Sequence, residues 1–174
     1  EVAEAGLHPG EERREGEGVE AEFTVKLPAR IAPDRSRRDS EPVRCPVRVR
    51  LTLRHGSPRV DVRPWFDNRA EDHRLRVEFP TPHHTGRLVS DGHYMVHDRP
   101  LVRTGGDDWV QPAPATWPQQ DFSLLADGDG GLAVLNRGLP EFSTTRAEDG
   151  SAVLRLTLLR CVGWLSRDDF ATRN

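Results

Sequence analysis

Histidine is the residue type in this sequence that most directly suggests a metal site, because seven histidines occur in 174 residues. His93 and His97 flank the strand-like run Tyr94-Met95-Val96. In a strand, that spacing places both imidazoles on one face but about 13 Å apart, too far to bind one ion. His83 and His84 are adjacent, so in an extended segment their side chains point in opposite directions. The sequence also contains no HExxH motif and no cysteine pair with zinc-ligand spacing. We therefore expect solvated or hydrogen-bonded loop histidines and no metal held by this chain alone.

Paired carboxylates are the second candidate for chemistry. They occur at Asp107-Asp108, Asp127/Asp129 and Asp168-Asp169, each in a sequence typical of a turn. A retaining glycosidase needs two carboxyl groups about 5 Å apart across the sugar ring, and sequence spacing does not place any of these pairs so. Serine nucleophile chemistry has no support, because no GxSxG elbow is present. We interpret the acidic pairs as turn residues.

Sugar binding is the site chemistry that local composition favours. Trp109 follows Asp107-Asp108, and Trp117 precedes Gln119-Gln120-Asp121. An aromatic face beside acids and amides suits stacking on a sugar together with hydrogen bonds to its hydroxyl groups. The alternative for each tryptophan is packing in a core or an interface, which is the commoner role of this residue and the one we favour.

The elements that must position these residues read as β-strands. Apolar and charged residues alternate with period two, which is typical of strands that bury one face. Such runs lie at Glu20–Leu27, Val47–Leu53, Val60–Phe66, Leu75–Phe79, Phe122–Ala126, Leu132–Asn136, Leu139–Thr145 and Val153–Leu159. The three from Val47 to Phe79 predict an antiparallel meander. The pattern as a whole predicts an all-β fold, an antiparallel β-sandwich.

Three segments depart from this pattern. Residues 1–18 are rich in Gly and Glu with almost no apolar content, which predicts a flexible lead-in before a domain at 19–174. Residues 80–120 hold six prolines and little periodicity, as long functional loops often do, although His93–Val96 could belong to a short strand. Ser166-Arg167-Asp168-Asp169 resembles a helix capping box.

Charge and cysteine content exclude several classes of protein. The formal net charge is −3, so no global basic field attracts nucleic acid or a membrane surface. No apolar run approaches the ~20 residues that span a bilayer. Cys45 and Cys161 lie in apolar, strand-like runs, so we expect both to be reduced core residues. Since no signal peptide is visible in the first residues, we expect a cytoplasmic location.

Four elements of the sequence are too particular to be explained by composition. In order, they are Phe66-Asp67-Asn68 with Asp72-His73-Arg74-Leu75-Arg76, Asp108-Trp109 with Pro118-Gln119-Gln120-Asp121-Phe122, Gly131-Leu132-Ala133-Val134-Leu135-Asn136-Arg137-Gly138-Leu139-Pro140-Glu141, and Leu156-Thr157-Leu158-Leu159-Arg160 with Val162-Gly163-Trp164-Leu165-Ser166-Arg167. Over about residues 20 to 174, their order and spacing resemble the C-terminal region of bacterial α-mannosidases of glycoside hydrolase family 38. The last two elements are the most specific.

The resemblance implies a multidomain enzyme. In that family an N-terminal (β/α) barrel holds zinc and a nucleophilic aspartate, a helical domain follows, and β-sandwich domains of the supersandwich type, like those of galactose mutarotases, pack against the barrel. It also implies retaining hydrolysis of terminal α-mannosides through a covalent intermediate. None of the barrel motifs occurs in this sequence. We therefore expect this chain alone to be inactive, to hold no cofactor, and to have the barrel, the helical domain and the mannoside as its partners.

The resemblance also suggests residues that line the substrate pocket. An arginine of the C-terminal region reaches the pocket in better-known relatives, and Arg137 has a similar place in chain order. We expect Asn136, Asp108 and Trp109 to lie beside it. The surface built for burial is expected around Trp109, Trp117, Trp164 and the arginine-rich strand faces.

Two other functions are left open. A free-standing carbohydrate-binding module would bind mannosides without the barrel. A mutarotase-like enzyme would need a paired histidine and carboxylate, for which His73, His93 and Glu141 are the candidates.

Overall fold

Strands account for all the regular structure in a computed structural model of the chain, which describes residues 2–9, 16–106, 108–109 and 113–163. The described residues form β1 (Val2–Pro9), β2 (Gly16–Pro28), β3 (Pro42–Arg54), β4 (Val60–Phe66), β5 (Arg74–Pro80), β6 (Arg87–Gly92), β7 (Met95–Pro100), β8 (Trp117–Pro118), β9 (Phe122–Asp127), β10 (Gly130–Leu135), β11 (Glu141–Arg146) and β12 (Ala152–Arg160). All strand pairs are antiparallel, so the predicted all-β class is confirmed. A helix able to cross a membrane is absent from this described part of the chain.

The chain divides into two compact units. The first comprises Glu1–His73 with Cys161–Asn174, and the second comprises Arg74–Arg160. The second unit is therefore inserted in the sequence of the first. Each of the three sheets formed by the described strands belongs to one unit alone.

The first unit is built on one meander with strand order β1-β2-β3-β4. The pleat places apolar side chains of three strands in rows on one face, as in the row Phe23, Val47 and Phe66. The opposite face carries cross-strand ion pairs, such as Arg50 with Glu20 at 2.8 Å. Alternation in β2, β3 and β4 therefore predicts correctly which residues share a face.

The second unit is a sandwich of two four-stranded sheets, β10-β9-β6-β7 and β5-β12-β11-β8. Their inner faces share one hydrophobic cluster formed by Leu88, Leu101, Leu125, Val134, Phe142, Ala152, Leu154 and Leu156. Phe142 and Leu154 are 0% exposed, and full burial of such a side chain contributes about 1.5–3 kcal/mol. The predicted β-sandwich is confirmed in this unit, and its apolar residues lie mainly between the two sheets.

Three local predictions differ from the structure. β5 does not continue the meander but pairs with β12, for example through Val77 and Leu156. Residues 80–120 contain β6, β7 and β8. Of the stretch His93–Val96, Met95 and Val96 begin β7, as expected of a short strand, whereas His93 and Tyr94 form the turn before it. Within the expected flexible lead-in, β1 pairs with β2. The domain boundary at residue 19 stays a prediction, and the capping box at Ser166–Asp169 lies outside the described residues.

The two cysteines are free and buried, as expected. Cys45 lies on the apolar face of β3, and Asn68 Nδ2 donates to Cys161 Sγ at 3.2 Å. Burial raises the pKa of the Cys161 thiol, which disfavours the thiolate needed for nucleophilic chemistry.

Candidate functional site

Trp117 is the centre of an aromatic and arginine cluster at the edge of the sandwich unit. It belongs to the two-residue strand β8, which pairs with β11 opposite Phe142, and its ring packs against the hydrophobic cluster. The guanidinium carbons of Arg99 and Arg103 lie 4.9 and 4.5 Å from the centre of this ring. Both distances are within the range of a cation–π interaction. Trp117 therefore combines the core packing that we favoured with a contact to two cations.

Arg103 joins this cluster to Trp109. Its guanidinium carbon is 5.9 Å from the centre of the Trp109 ring, and its Nη1 donates to the carbonyl oxygen of Pro114 at 3.4 Å. Trp109 is 56% exposed, so it is not a core residue, and Asp108 beside it is also exposed. Gly106 makes this loop possible, because its φ is +91° and a Cβ there would lie 2.9 Å from the Cβ of Ala113.

Asn136 and Arg137 lie in the turn between β10 and β11. Asn136 Oδ1 accepts the backbone N–H of Leu139 at 3.0 Å, so the oxygen of this amide stabilises the turn. Its Nδ2 is buried and has no partner among the described residues. Arg137 is exposed, and its guanidinium forms no ion pair within the described part of the chain. The turn thus presents a free cation on a braced backbone.

The segment from Trp117 to Asp121 brings this turn close to the arginine cluster. Gln119 Nε2 donates to the carbonyl oxygen of Leu139 at 3.0 Å, and the N–H of Asn136 donates to that of Asp121 at 2.8 Å. The turn that contains two of the predicted lining residues, Asn136 and Arg137, is therefore hydrogen-bonded to the segment that directly follows β8. Trp109 is linked to Trp117 of β8 through Arg103, whose guanidinium lies against both rings, whereas Asp108 is exposed beside Trp109.

The histidines form no metal site in this structure. His83 Nδ1 lies 3.0 Å from Asp127 Oδ1. Hydrogen bonds from the N–H of Asp129 and from His83 lower the pKa of that carboxyl group. In the ranges that the structure describes, no group of three or more His, Cys, Asp and Glu side chains could hold a metal ion. The zinc implied by the resemblance thus has no ligand set among these residues.

Glu141, the carboxylate considered for a mutarotase-like reaction, has cationic partners instead of a histidine. Its oxygens lie 3.5 Å from Arg74 Nη1 and 3.5 Å from Arg160 Nη1, and Thr157 Oγ1 donates to it at 2.8 Å. His93 is exposed in the β6–β7 turn. The mutarotase-like arrangement therefore finds no support around Glu141.

Arg99 and Arg103 were missed by the reasoning from sequence. Both lie in the irregular stretch 80–120, where arginines are interspersed with two tryptophans, and this mixture is the signal that could have indicated them. Of the other tryptophans, Trp65 is 42% exposed with Arg48 4.5 Å from its ring centre. Trp164, expected on a surface built for burial, lies outside the described residues.

Comparison with known sequences identifies relatives over most of the chain. The model of the Glycosyl hydrolases family 38 C-terminal domain matches residues 13–170. A protein of Halalkalibacterium halodurans named "Putative mannosylglycerate hydrolase" is 34% identical over 134 residues. The match covers 76% of this chain and 14% of that relative.

Solved structures lead to the same relatives. An alpha-mannosidase from Enterococcus faecalis V583 matches 93% of this chain with a TM-score of 0.77 and 27% identity. A protein in the glycosyl hydrolase family 38 from Enterococcus faecalis matches 98% of it with a TM-score of 0.80 and 26% identity. The chain spans only 19% and 20% of the lengths of these two proteins.

Proposed function

The chain belongs to glycosyl hydrolase family 38, as its C-terminal domain, and we propose that it is a non-catalytic β-domain supporting a catalytic barrel elsewhere in a longer polypeptide. Its relatives are about five times as long, which leaves ample length for the barrel and a helical domain. The supporting role rests on one observation, an apolar surface that the described residues leave exposed.

That surface lies at one end of the β3–β4 hairpin. Leu51 and Leu53 on β3 are 38% and 52% exposed, and Val60 and Val62 on β4 are 52% and 42% exposed. The register places Leu51 opposite Val62 and Leu53 opposite Val60, so the four side chains form one patch on a single face. A contiguous apolar patch of this kind is typical of a surface that another protein surface covers.

The covering surface, in this proposal, is part of the same polypeptide. Burying four aliphatic side chains contributes about 25 cal/mol for each Å² removed from water, enough to hold two domains in a fixed arrangement. The barrel needs such support because its cleft geometry has to be held within fractions of an ångström for efficient catalysis.

The activity proposed for the whole polypeptide is retaining hydrolysis of terminal α-mannosides, with zinc and the nucleophile in the barrel. Arg137, Asn136, Asp108 and Trp109 are proposed to line the cleft, and the exposed, unpaired guanidinium of Arg137 is the group best suited to bind substrate oxygens. We place the enzyme in the cytoplasm, since two free cysteines persist best in a reducing compartment.

Hydrolysis of an aryl α-mannoside in the presence of zinc tests whether catalysis requires the part of the polypeptide outside this domain. The 174-residue chain is compared with the polypeptide extended to its native start. We expect activity only in the extended form. Activity in the short chain would contradict the proposal. Mannoside binding by the short chain with no hydrolysis in either form would instead indicate a carbohydrate-binding module.

A charge placed in the apolar patch tests the support itself. Leu53→Glu and Val60→Glu, made in the extended polypeptide, are expected to lower the temperature at which hydrolytic activity is lost by several degrees. Val96→Glu is the matched control, because Val96 is similarly exposed at 59% but lies on β7 of the sandwich unit and is not part of the patch. Equal inactivation temperatures for all three variants would show that nothing covers the patch.

A further inference from the structure

Arg99 is a buried cation at the edge of the sandwich unit. Its side chain is 9% exposed, and it is the only buried residue of β7. The register pairs Arg99 with Leu88 of β6, which belongs to the hydrophobic cluster. Cross-strand partners point to the same face of a sheet, so Arg99 enters the inner face of the sandwich at its edge strand.

The charge of Arg99 is not neutralised by any of the described residues. No carboxylate forms an ion pair with it in the part of the chain that the structure describes. Arginine is almost never this buried without an acidic partner, because desolvation of an unpaired charge is costly. Burial, and then the nearby charge of Arg103, lower the pKa of Arg99. The second cause reflects a local excess of positive charge.

Trp117 is in contact with both cations. Their guanidinium carbons lie 4.9 and 4.5 Å from one ring centre, where the negative face of the indole offsets part of their repulsion. Arg103 is further fixed by its bond to the Pro114 carbonyl. Each guanidinium group is planar and carries several N–H donors, the kind of group that proteins use to bind carboxylate and phosphate.

We propose that Arg99, Arg103 and Trp117 form a binding site for a small oxyanion, the carboxylate or phosphate group of a sugar-sized molecule. The anion supplies the negative charge that the two arginines lack, and the exposed ring of Trp109, in contact with Arg103, borders the site. The site belongs wholly to the sandwich unit. It therefore goes beyond the supporting role and does not depend on it.

An inward-pointing charge on an edge strand has a competing structural explanation. Such residues disfavour pairing of the edge with another sheet, without binding any ligand. In that case the protein would not bind oxyanions at all. If Arg99 and Arg103 served only to pack against Trp117, their removal would lower stability and leave any ion binding unchanged.

Isothermal titration calorimetry of the 174-residue chain tests the proposal at constant ionic strength. Inorganic phosphate and D-glucuronate are the oxyanion probes, and methyl α-glucoside is the neutral sugar control. We expect one of the two oxyanions to bind with a Kd of about 1 mM or lower, and no binding of the glucoside. Preference between phosphate and glucuronate identifies the anionic group. Absence of binding by both would overturn the proposal.

Substitutions show whether an oxyanion binds at this particular site or is attracted equally to any arginine on the surface. Arg99→Met and Arg103→Gln should each weaken oxyanion binding at least tenfold. Arg87→Gln should not, because Arg87 is exposed and already paired with Asp98 at 2.7 Å. Without ligand, Arg99→Met should raise the melting temperature, since it removes a buried unpaired charge. If it does not fold, Arg103→Gln alone decides. Equal affinity in Arg103→Gln and wild type would overturn the site.

A final titration measures oxyanion binding by the extended polypeptide. The same oxyanion is titrated into it under the same conditions. Binding with a similar Kd supports a ligand site. Loss of binding would show that an acidic side chain of the remaining polypeptide fills the position, which would also overturn the proposal.

Discussion

The carboxylate of Asp91 accepts the backbone N–H of Phe122 at 3.1 Å and so joins the end of β6 to the start of β9. The same carboxylate accepts the N–H of Gln120 at 3.1 Å and of Asp121 at 2.7 Å. One side chain thus satisfies three successive backbone donors just after β8. Because this segment also contacts the Asn136–Arg137 turn, Asp91 braces the region that carries the candidate site.

Replacing this carboxylate should destabilise the sandwich unit. In Asp91→Asn an amide N–H₂ would face at least one backbone donor, so we expect a loss of about 1–3 kcal/mol in the free energy of unfolding. Urea denaturation monitored by tryptophan fluorescence measures it. Asp98→Asn, which removes an exposed partner of Arg87, is the control and should cost less than about 1 kcal/mol. Equal losses of unfolding free energy in Asp91→Asn and Asp98→Asn would mean that the three backbone hydrogen bonds to Asp91 add no stability beyond that of an exposed ion pair.

The contribution of Asp91 should also depend on pH. Burial alone raises the pKa of this carboxyl group, but the three backbone hydrogen bonds outweigh it and the pKa lies below its usual value. The stabilisation is therefore complete above about pH 3.9, the usual aspartate pKa, and is lost as the pH falls through the lower pKa of the folded state. The stability difference between wild type and Asp91→Asn should shrink in that acidic range.

Two glycines of the β9–β10 hairpin should respond differently to a methyl group. A Cβ on Gly131 would lie 2.7 Å from the backbone oxygen of Leu125 and 2.9 Å from the Cβ of Ala126. Backbone cannot move aside cheaply, so Gly131→Ala should cost about 1–3 kcal/mol. Gly128→Ala, where a Cβ meets open space, should change stability by no more than about 0.5 kcal/mol. Thermal unfolding of the two variants tests this difference, and similar melting temperatures would refute it.

Alternation of apolar residues predicted most strands because each strand shows its buried face locally. It could not predict pairing, and β5 shows why. Its partner β12 begins at Ala152, so the contact between Val77 and Leu156 joins residues far apart in sequence. β6 was hidden because Ser90, a polar residue, is fully buried on its inner face.

The candidate site was predictable only where its residues are exposed. Arg137 and Trp109 lie at the surface, as a ligand-lining role requires. Arg99 could not be identified from the sequence as a buried residue, because an arginine at an alternating position of a strand is predicted to be exposed to solvent. Arg99 lies against the Trp117 ring, which belongs to a strand that starts 18 residues further along the chain.

Acidification should destabilise the first unit through His73. Both ring nitrogens are buried without a partner among the described residues, and the ring makes an edge contact with Phe66 at 6.3 Å between centroids. Burial lowers the pKa of His73, with Arg38 and Asp72 as charged neighbours. Its folded-state pKa is thus below the unfolded value of about 6.5. Stability is full above that pH and is lost as the pH falls towards the folded-state pKa.

His73→Phe removes the titrating group and keeps an aromatic ring against Phe66. Between pH 7.5 and pH 5 we expect this variant to lose less unfolding free energy than the wild type, measured by urea denaturation at both pH values. His55→Phe, in the exposed β3–β4 turn, controls for the loss of one imidazole. If His73→Phe follows the wild-type pH dependence, His73 is not the group responsible.

Removal of the Arg137 guanidinium should impair catalysis by the extended polypeptide. Arg137 is exposed on a turn that Asn136 and Gln119 hold in place, so Arg137→Ala should leave the fold intact. Loss of a hydrogen bond from a charged donor to substrate costs about 1.5–3 kcal/mol, a fall of about 10- to 100-fold in kcat/KM for an aryl α-mannoside. Arg87→Ala is the matched control, and its kinetics should equal those of the wild type. Unchanged kcat and KM in Arg137→Ala would exclude this residue from the substrate pocket.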